Sequence, residues 1–307
     1  MKVLVTPRSF GKHNEAHFKM LEDAGLTVVR NDTGGIMTED QMKAAIIGCA
    51  GVISGVDPLN ESVMAEAPEL KAVAKYGVGT DNIDLDYCKE KGITVSITTG
   101  ANSEAVADYA FALILALARK VLEIDKNCRK KDWSKITTSD VYGKTLGIIG
   151  LGSIGKCVVA RAKGFGMKVL AYELYWDEKY GREAGVECAT VDEICKESDF
   201  ISLHTPLTDE TRNIIGRREL DMMKPGIFIV NTARGGLIDE DELLSALSEG
   251  RIAGAGLDVF ATEPPDDDRW YALQNVVMGS HCGASTTGAA ENMSLMAAQN
   301  LLRDLGL

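Results

Sequence analysis

The stretch "GIIGLGSIG" (147–155) lies near the middle of a 307-residue chain, and its reading decides the fold. Gly150, Gly152 and Gly155 stand in the spacing G-x-G-x-x-G. That spacing alone is a weak signal. Here it closes an apolar run, "KTLGIIG" (144–150), and opens a helix-like one, "SIGKCVVARAKGF" (153–165). A strand turning sharply into a helix under a dinucleotide needs glycine at each place. The first permits the turn, the second admits backbone to the pyrophosphate, and the third lets the helix lie close on the sheet. The amides of Ser153 and Ile154, in the first turn, then face the phosphates.

The next apolar run, "KVLAYE" (168–173), ends on Glu173, eighteen residues beyond Gly155. An acid about 20 residues on accepts hydrogen bonds from the ribose hydroxyls. A carboxylate there repels a 2′-phosphate, and the next residues, Leu174 and Tyr175, supply no arginine to hold one. The cofactor expected is therefore NAD, not NADP.

Outward from this loop the pattern repeats. Before it come "KVLVT" (2–6), "LTVVR" (26–30), "GVISG" (51–55), "KAVAKYG" (71–77) and "ITVSIT" (93–98). After it come "FISLHT" (200–205), "GIFIVNTA" (226–233), "IAGAGLDVF" (252–260) and "NVVMGSH" (275–281). Near-continuous apolar runs fit parallel strands covered on both faces, and amphipathic stretches separate them. Two such series predict an α/β protein of two Rossmann-like, doubly wound parallel-sheet domains. One is a flavodoxin-like substrate domain, residues 1–100 plus 282–307, and the other an NAD-binding domain, 101–281. "NSEAVADYAFALILALAR" (102–119) reads as a stiff helical connector capped by Ser103, and 285–305 as a helix returning to the first domain. Asp239 and Gly250 read as the start and stop of another helix.

The net charge of −12 argues against a nucleic-acid or anionic-membrane surface but not against a small anionic substrate. Seven cysteines without a C-x-x-C pair suit a reducing cytoplasm and give no zinc motif, so no metal is expected. The apolar run at 111–118 is too short to span a bilayer, and the N-terminus does not read as a signal peptide.

Three polar residues follow strand-like runs at the edge where such sheets bind ligands. Arg234, in "NTARGGLID", can grip a carboxylate with two prongs. Glu263 lies in "DVFATEPP". His281 lies in "SHCGA". Guanidinium, carboxylate and imidazole together suit proton transfer beside a bound acid. The rival is Cys282 as a nucleophile. On a strand, adjacent side chains point to opposite faces, so a His281 facing the site turns Cys282 away. In "KYGVGTDNID" (75–84), Gly77 and Gly79 offer amides for an anion-holding nest and Lys75 adds a charge.

As a set these residues resemble the D-2-hydroxyacid dehydrogenase family, most nearly a short form of its phosphoglycerate dehydrogenase branch. The motifs "YGVGTDNID", "GKTLGIIGLGSIG", "LHTPLTDETRNII", "VNTARGGLIDEDEL", "AGLDVFATEPP" and "SHCGAST" carry the resemblance in order over nearly the whole chain. The resemblance implies an NAD-dependent oxidoreductase acting at C2 of a small 2-hydroxy or 2-keto acid, with 3-phosphoglycerate the leading substrate and serine biosynthesis the setting. It makes Arg234, Glu263 and His281 catalytic. It gives substrate binding to Lys75, Tyr76, Val78 and Gly79, with Arg234 and His281. It places His204, Thr205, Pro206, Thr232, Ala233, Asp258 and Gly283 with the cofactor, and it implies a homodimer. Two departures bear on the substrate. The phosphoglycerate enzymes carry arginine where this chain has Ser54 and Lys75. A C-terminal serine-sensing extension is not expected. The alternatives are a reductase of pyruvate, glyoxylate, hydroxypyruvate or sulfopyruvate and, from another class, an NAD-sensing corepressor-like binding protein.

Overall fold

A computed structural model describes all 307 residues. It divides into two compact units, residues Met1–Asn102 with Ser285–Leu307, and Ser103–Ala284. Every apolar run read as a strand is one, and every strand pairing is parallel.

The first unit contains β1 (Lys2–Val5), α1 (Ala16–Asp23), β2 (Thr27–Arg30), α2 (Glu39–Ile46), β3 (Cys49–Ser54), α3 (Glu61–Met64), β4 (Ala72–Lys75), α4 (Leu85–Lys91) and β5 (Thr94–Ile97). Its sheet runs β2-β1-β3-β4-β5, the flavodoxin-like order. The inner strands β3 and β4 are buried along their whole length, which is why their sequences are apolar without alternation.

The second unit contains α5 (Ser103–Ala118), α6 (Val121–Arg129), β6 (Thr145–Ile149), α7 (Ser153–Gly164), β7 (Lys168–Tyr172), α8 (Glu178–Ala184), β8 (Glu187–Cys188), α9 (Val191–Glu197), β9 (Phe200–Leu203), α10 (Arg217–Met222), β10 (Phe228–Asn231), α11 (Glu240–Ser248), β11 (Gly254–Leu257), α12 (Arg269–Ala272) and β12 (Val276–Met278). Its sheet runs β12-β11-β10-β9-β6-β7-β8, reversing direction between β6 and β9. Such a switch point opens a ligand crevice at the strands' carboxyl ends. The extra strand, β8, is two exposed residues long, too short for a hydrophobic signature.

α5 corrects the sequence reading twice. It begins at Ser103, so the capping position falls on Asn102. It is also a core helix of the second unit, not a connector. Ala110, Leu113, Ile114 and Leu117 are buried in one cluster with Leu146, Ile148 and Val230 of the sheet. A helix apolar nearly all round needs cover on more than one face. Gly256 of β11 makes the close approach possible, since a β-carbon there would lie 2.9 Å from Leu113 Cβ. α6, by contrast, buries none of its residues, and Trp133 and Tyr142 beyond it are 80% and 79% exposed. No helix is long and apolar enough to cross a membrane.

The last helix, α13 (Thr287–Leu305), returns to the first unit as read. Thr286 caps it by accepting the Ala289 N–H at 3.1 Å. Its Ala297, Ala298 and Leu301 pack with Val3, Val5, Ile53 and Ala72 of the first sheet. Asp239 caps α11 and Gly250 follows its end with positive φ, as the sequence implied. Because Leu301 is fully buried, Leu301→Ala should cost about 2–5 kcal/mol, measured as a lowered midpoint in urea unfolding.

Candidate active site

The carboxyl ends of the second sheet gather most of the residues singled out above. β6 ends at Ile149 and turns at Gly150, where φ is +99° and a β-carbon would strike the His204–Thr205 backbone at 2.6 Å. A β-carbon on Gly155 would lie 2.3 Å from the Gly150 carbonyl oxygen, so α7 sits where only glycine allows. Gly152 caps α7 without a side chain, and no atom lies within 4 Å of where its β-carbon would be. Glu173, just past β7, accepts the Leu151 N–H through Oε2 at 2.7 Å and the Tyr175 N–H through Oε1 at 3.4 Å. The loop is thus tied to the acid at the next strand's end, and Leu174 and Tyr175 stand exposed beside it.

Next along the edge, His204 holds its Nε2 2.8 Å from Ser202 Oγ, and burial drives its imidazole down to about 3, leaving it neutral. Thr205 and Pro206 follow it at the surface. At the end of β10, buried Asn231 builds the turn that presents Arg234. Its Nδ2 donates to the Arg234 carbonyl at 2.7 Å and its Oδ1 accepts the Ala233 N–H at 3.0 Å. Sequence reasoning missed this residue, although asparagine after a strand and before a turn is an Asx-turn signal. Arg234 Nη1 donates to the Ala233 carbonyl at 2.6 Å. The neighbouring Thr232 Oγ1 is buried with no hydrogen-bond partner.

Glu263 and His281 meet. His281 Nδ1 lies 2.8 Å from Glu263 Oε2, while Glu263 Oε1 accepts the Phe260 N–H at 3.1 Å. Burial raises the Glu263 carboxyl, but the His281 contact, the Phe260 amide and the Arg234 charge together outweigh it, and the net direction is below its ordinary value. His281 has φ +56°, in the left-handed region uncommon for a residue with a β-carbon.

Buried Asp258 holds that turn. Its backbone carbonyl accepts the His281 N–H at 2.8 Å, Oδ1 accepts the Cys282 N–H at 2.9 Å, and Oδ2 accepts the Gly283 N–H at 2.7 Å. Two expectations change here. His281 and Cys282 are not on a strand, since β12 ends at Met278, so strand alternation does not set their directions. Cys282 instead aims its thiol at Asp258 Oδ1, 3.5 Å away, and a carboxylate facing the sulfur is no activator of a nucleophile. The break between units also falls after Ala284, not after His281, because Asp258 keeps 282 and 283 with the second unit.

In the first unit the loop after β4 differs from the nest expected. The Gly77 N–H donates to Thr98 Oγ1 at 2.9 Å and so is already used. Lys75 is 5% exposed, its ammonium bound to the Gly55 carbonyl and, at 2.6 Å, to Asn82 Oδ1. Asn82 Nδ2 also reaches Ser54 Oγ at 3.4 Å. Val78 and Gly79 follow at the surface of that loop.

Residues 111–283 match the family model "D-isomer specific 2-hydroxyacid dehydrogenase, NAD binding domain". The chain belongs to this family. It is an NAD-dependent D-2-hydroxyacid dehydrogenase. It is 45% identical over 253 residues to a glyoxylate reductase of Korarchaeum cryptofilum, covering 80% of this chain and 76% of that protein. It is 39% identical over 308 residues to a D-3-phosphoglycerate dehydrogenase of Methanocaldococcus jannaschii, covering 99% of this chain and 57% of that protein. In structure it is similar to the TT0316 protein of Thermus thermophilus, with a TM-score of 0.90 and 37% identity over 100% of this chain and 97% of that one. D-lactate dehydrogenase of Aquifex aeolicus, solved with NAD and lactic acid, gives a TM-score of 0.84 and 32% identity over 97% and 93% of the two chains. The dehydrogenase's glycine loop fits a dinucleotide: the space in front of Gly152 is open, and the carboxylate stands at the loop's tip.

A carboxyl held below its ordinary value stabilises the fold above that value and ceases to do so as pH falls through its lower folded one. Thermal unfolding of Glu263→Gln should therefore show lower stability than the parent at neutral pH. The gap should narrow once the pH is taken below 4.5, the ordinary value.

Proposed function

We propose that Arg234, Glu263 and His281 carry the reaction, and that the substrate is a small unphosphorylated 2-keto acid, reduced to its D-2-hydroxy acid. The observation that supports this most is the 2.8 Å contact of Glu263 with His281 Nδ1, beside the strand end that presents Arg234. With Nδ1 engaged, Nε2 is the nitrogen left for the substrate oxygen. In reduction, protonated His281 gives its proton to the C2 oxygen; in oxidation, the neutral ring takes it from the hydroxyl. Glu263 orients the ring through its contact with Nδ1. Arg234 grips the substrate carboxylate and polarises the C2 oxygen. Bound NAD supplies the acceptor and source of hydride.

Gly150, Gly152, Ser153, Ile154 and Gly155 would hold its phosphates and Glu173 its ribose hydroxyls. His204, Thr205, Pro206, Thr232, Ala233, Asp258 and Gly283 would border the nicotinamide half. Neutral His204 and the unpartnered Thr232 hydroxyl suit an uncharged carboxamide. Tyr76, Val78 and Gly79 would form the substrate loop.

Two observations favour an unphosphorylated acid over 3-phosphoglycerate. Ser54 carries no charge, and the ammonium of Lys75 is turned inward onto Gly55 and Asn82. Relatives named glyoxylate reductase point the same way. The phosphoglycerate reading keeps one support, the relative of that name matched over 99% of this chain. The exposed apolar residues Val121, Leu122, Trp133 and Tyr142 fit the homodimer expected, and seven free cysteines fit a cytoplasmic setting.

NADH absorbance should fall with glyoxylate or hydroxypyruvate and change little with NADPH. Strong NAD-dependent oxidation of 3-phosphoglycerate would instead return the enzyme to the phosphorylated reading. His281→Ala should lower kcat by about 10²–10⁴ while leaving NADH affinity, followed by fluorescence titration, near that of the parent.

A further inference from the structure

Glu240 opens α11, at the end of the loop that carries Arg234. Its Oε1 accepts the Ala261 N–H at 2.6 Å. Ala261 belongs to the other loop, two residues before Glu263. The preceding amide, Phe260 N–H, donates to Glu263 itself. Two consecutive amides of one loop thus point at two carboxylates, Glu263 of that same loop and Glu240 of the other. The loops also touch through backbone. A β-carbon on Gly235 would lie 2.0 Å from the Phe260 carbonyl carbon, a distance only glycine permits.

Packing does little to hold this loop. Ala261, Thr262, Glu263 and Pro264 are all exposed. Beneath the segment opens a cavity of about 380 Å³, lined by Asp239, Glu240, Asp241, Ala261, Thr262 and Trp270 among others. Phe260 is anchored edge-on to buried Trp270 at 5.6 Å, but Glu263 lies beyond that anchor. A side chain only partly covered depends on directed bonds for its exact place, and a 1 Å misplacement at a reacting group can cost about 10²-fold in rate. Glu240 also stands in an unfavourable place for a carboxylate. Burial pushes its carboxyl up, the Ala261 amide pulls it back, and the charges of Asp241, Asp239 and Asp266 add to the rise.

We propose that Glu240 is a positioning residue: by holding the Ala261 amide it fixes the loop that presents Glu263 to His281, and locks that loop to the one carrying Arg234. The inference rests on the reading of Glu263 and His281 as the proton-transfer pair. A first-turn glutamate serving only the helix dipole has no need of this bond.

The test compares Glu240→Ala with Glu240→Gln in the full chain, glutamine keeping an oxygen acceptor at the same reach. Hydrogen–deuterium exchange should speed up in peptides spanning 258–266 for the alanine variant and return toward the parent rate for glutamine, with other peptides unchanged. In glyoxylate reduction, kcat should fall about 10-fold or more in the alanine variant, with a smaller change in KM. Glutamine should restore kcat. Parental exchange in the alanine variant overturns the proposal, whatever the turnover. So does an equal loss in both variants, or a loss of protection spread over the whole unit. A parent chain that turns over no keto acid would sink the functional reading alone. Exchange that speeds up in alanine and not in glutamine would still uphold the clamp.

Discussion

The buried carboxylate of Asp258 is the interaction on which the candidate site depends. It follows β11 inside the protein, where an unpaired charge would be costly. It is satisfied by the amides of Cys282 and Gly283, residues that lie after β12. That pairing makes the chain turn after β12, and the turn puts His281 in the left-handed region. Such a conformation costs on the order of 1–3 kcal/mol. Hydrogen bonds to a charged group contribute about 1.5–3 kcal/mol each, the same order as that strain. The imidazole then arrives at Glu263 in one orientation.

Close backbone approach is the second constraint, and glycine meets it each time. Gly150 and Gly155 let β6, α7 and the His204 segment converge at the dinucleotide loop, while Gly235 lets the loops after β10 and β11 touch. Parallel strands make this possible. All their carboxyl ends lie on one edge, so residues far apart in sequence share a site without any long excursion of the chain.

Much of this is legible in the residues. Parallel strands buried on both faces leave near-continuous apolar runs, and all but the two-residue β8 were readable for that reason. The glycine spacing with Glu173 reads as a dinucleotide loop because that chemistry demands those residue types at those distances. Arg234, Glu263 and His281 stood out because each follows a strand. The connector reading of α5 failed because an all-apolar helix looks alike whether it joins two units or crosses one sheet. The alternation argument for Cys282 failed because three residues after β12 leave no trace of whether the strand continues.

The sequence by itself determined the α/β class, the two series of strands, the glycine loop and the identities of the candidate side chains. These rest on local periodicity and on spacings within one strand-turn-helix unit. Tertiary structure alone decided the pairing of Glu263 with His281, the use of Asp258 as the anchor of the His281 turn, the inward turn of Lys75 and the hold of Glu240 on Ala261. Each joins segments whose separation along the chain says nothing of their distance in space, and only the packed sheet sets that distance.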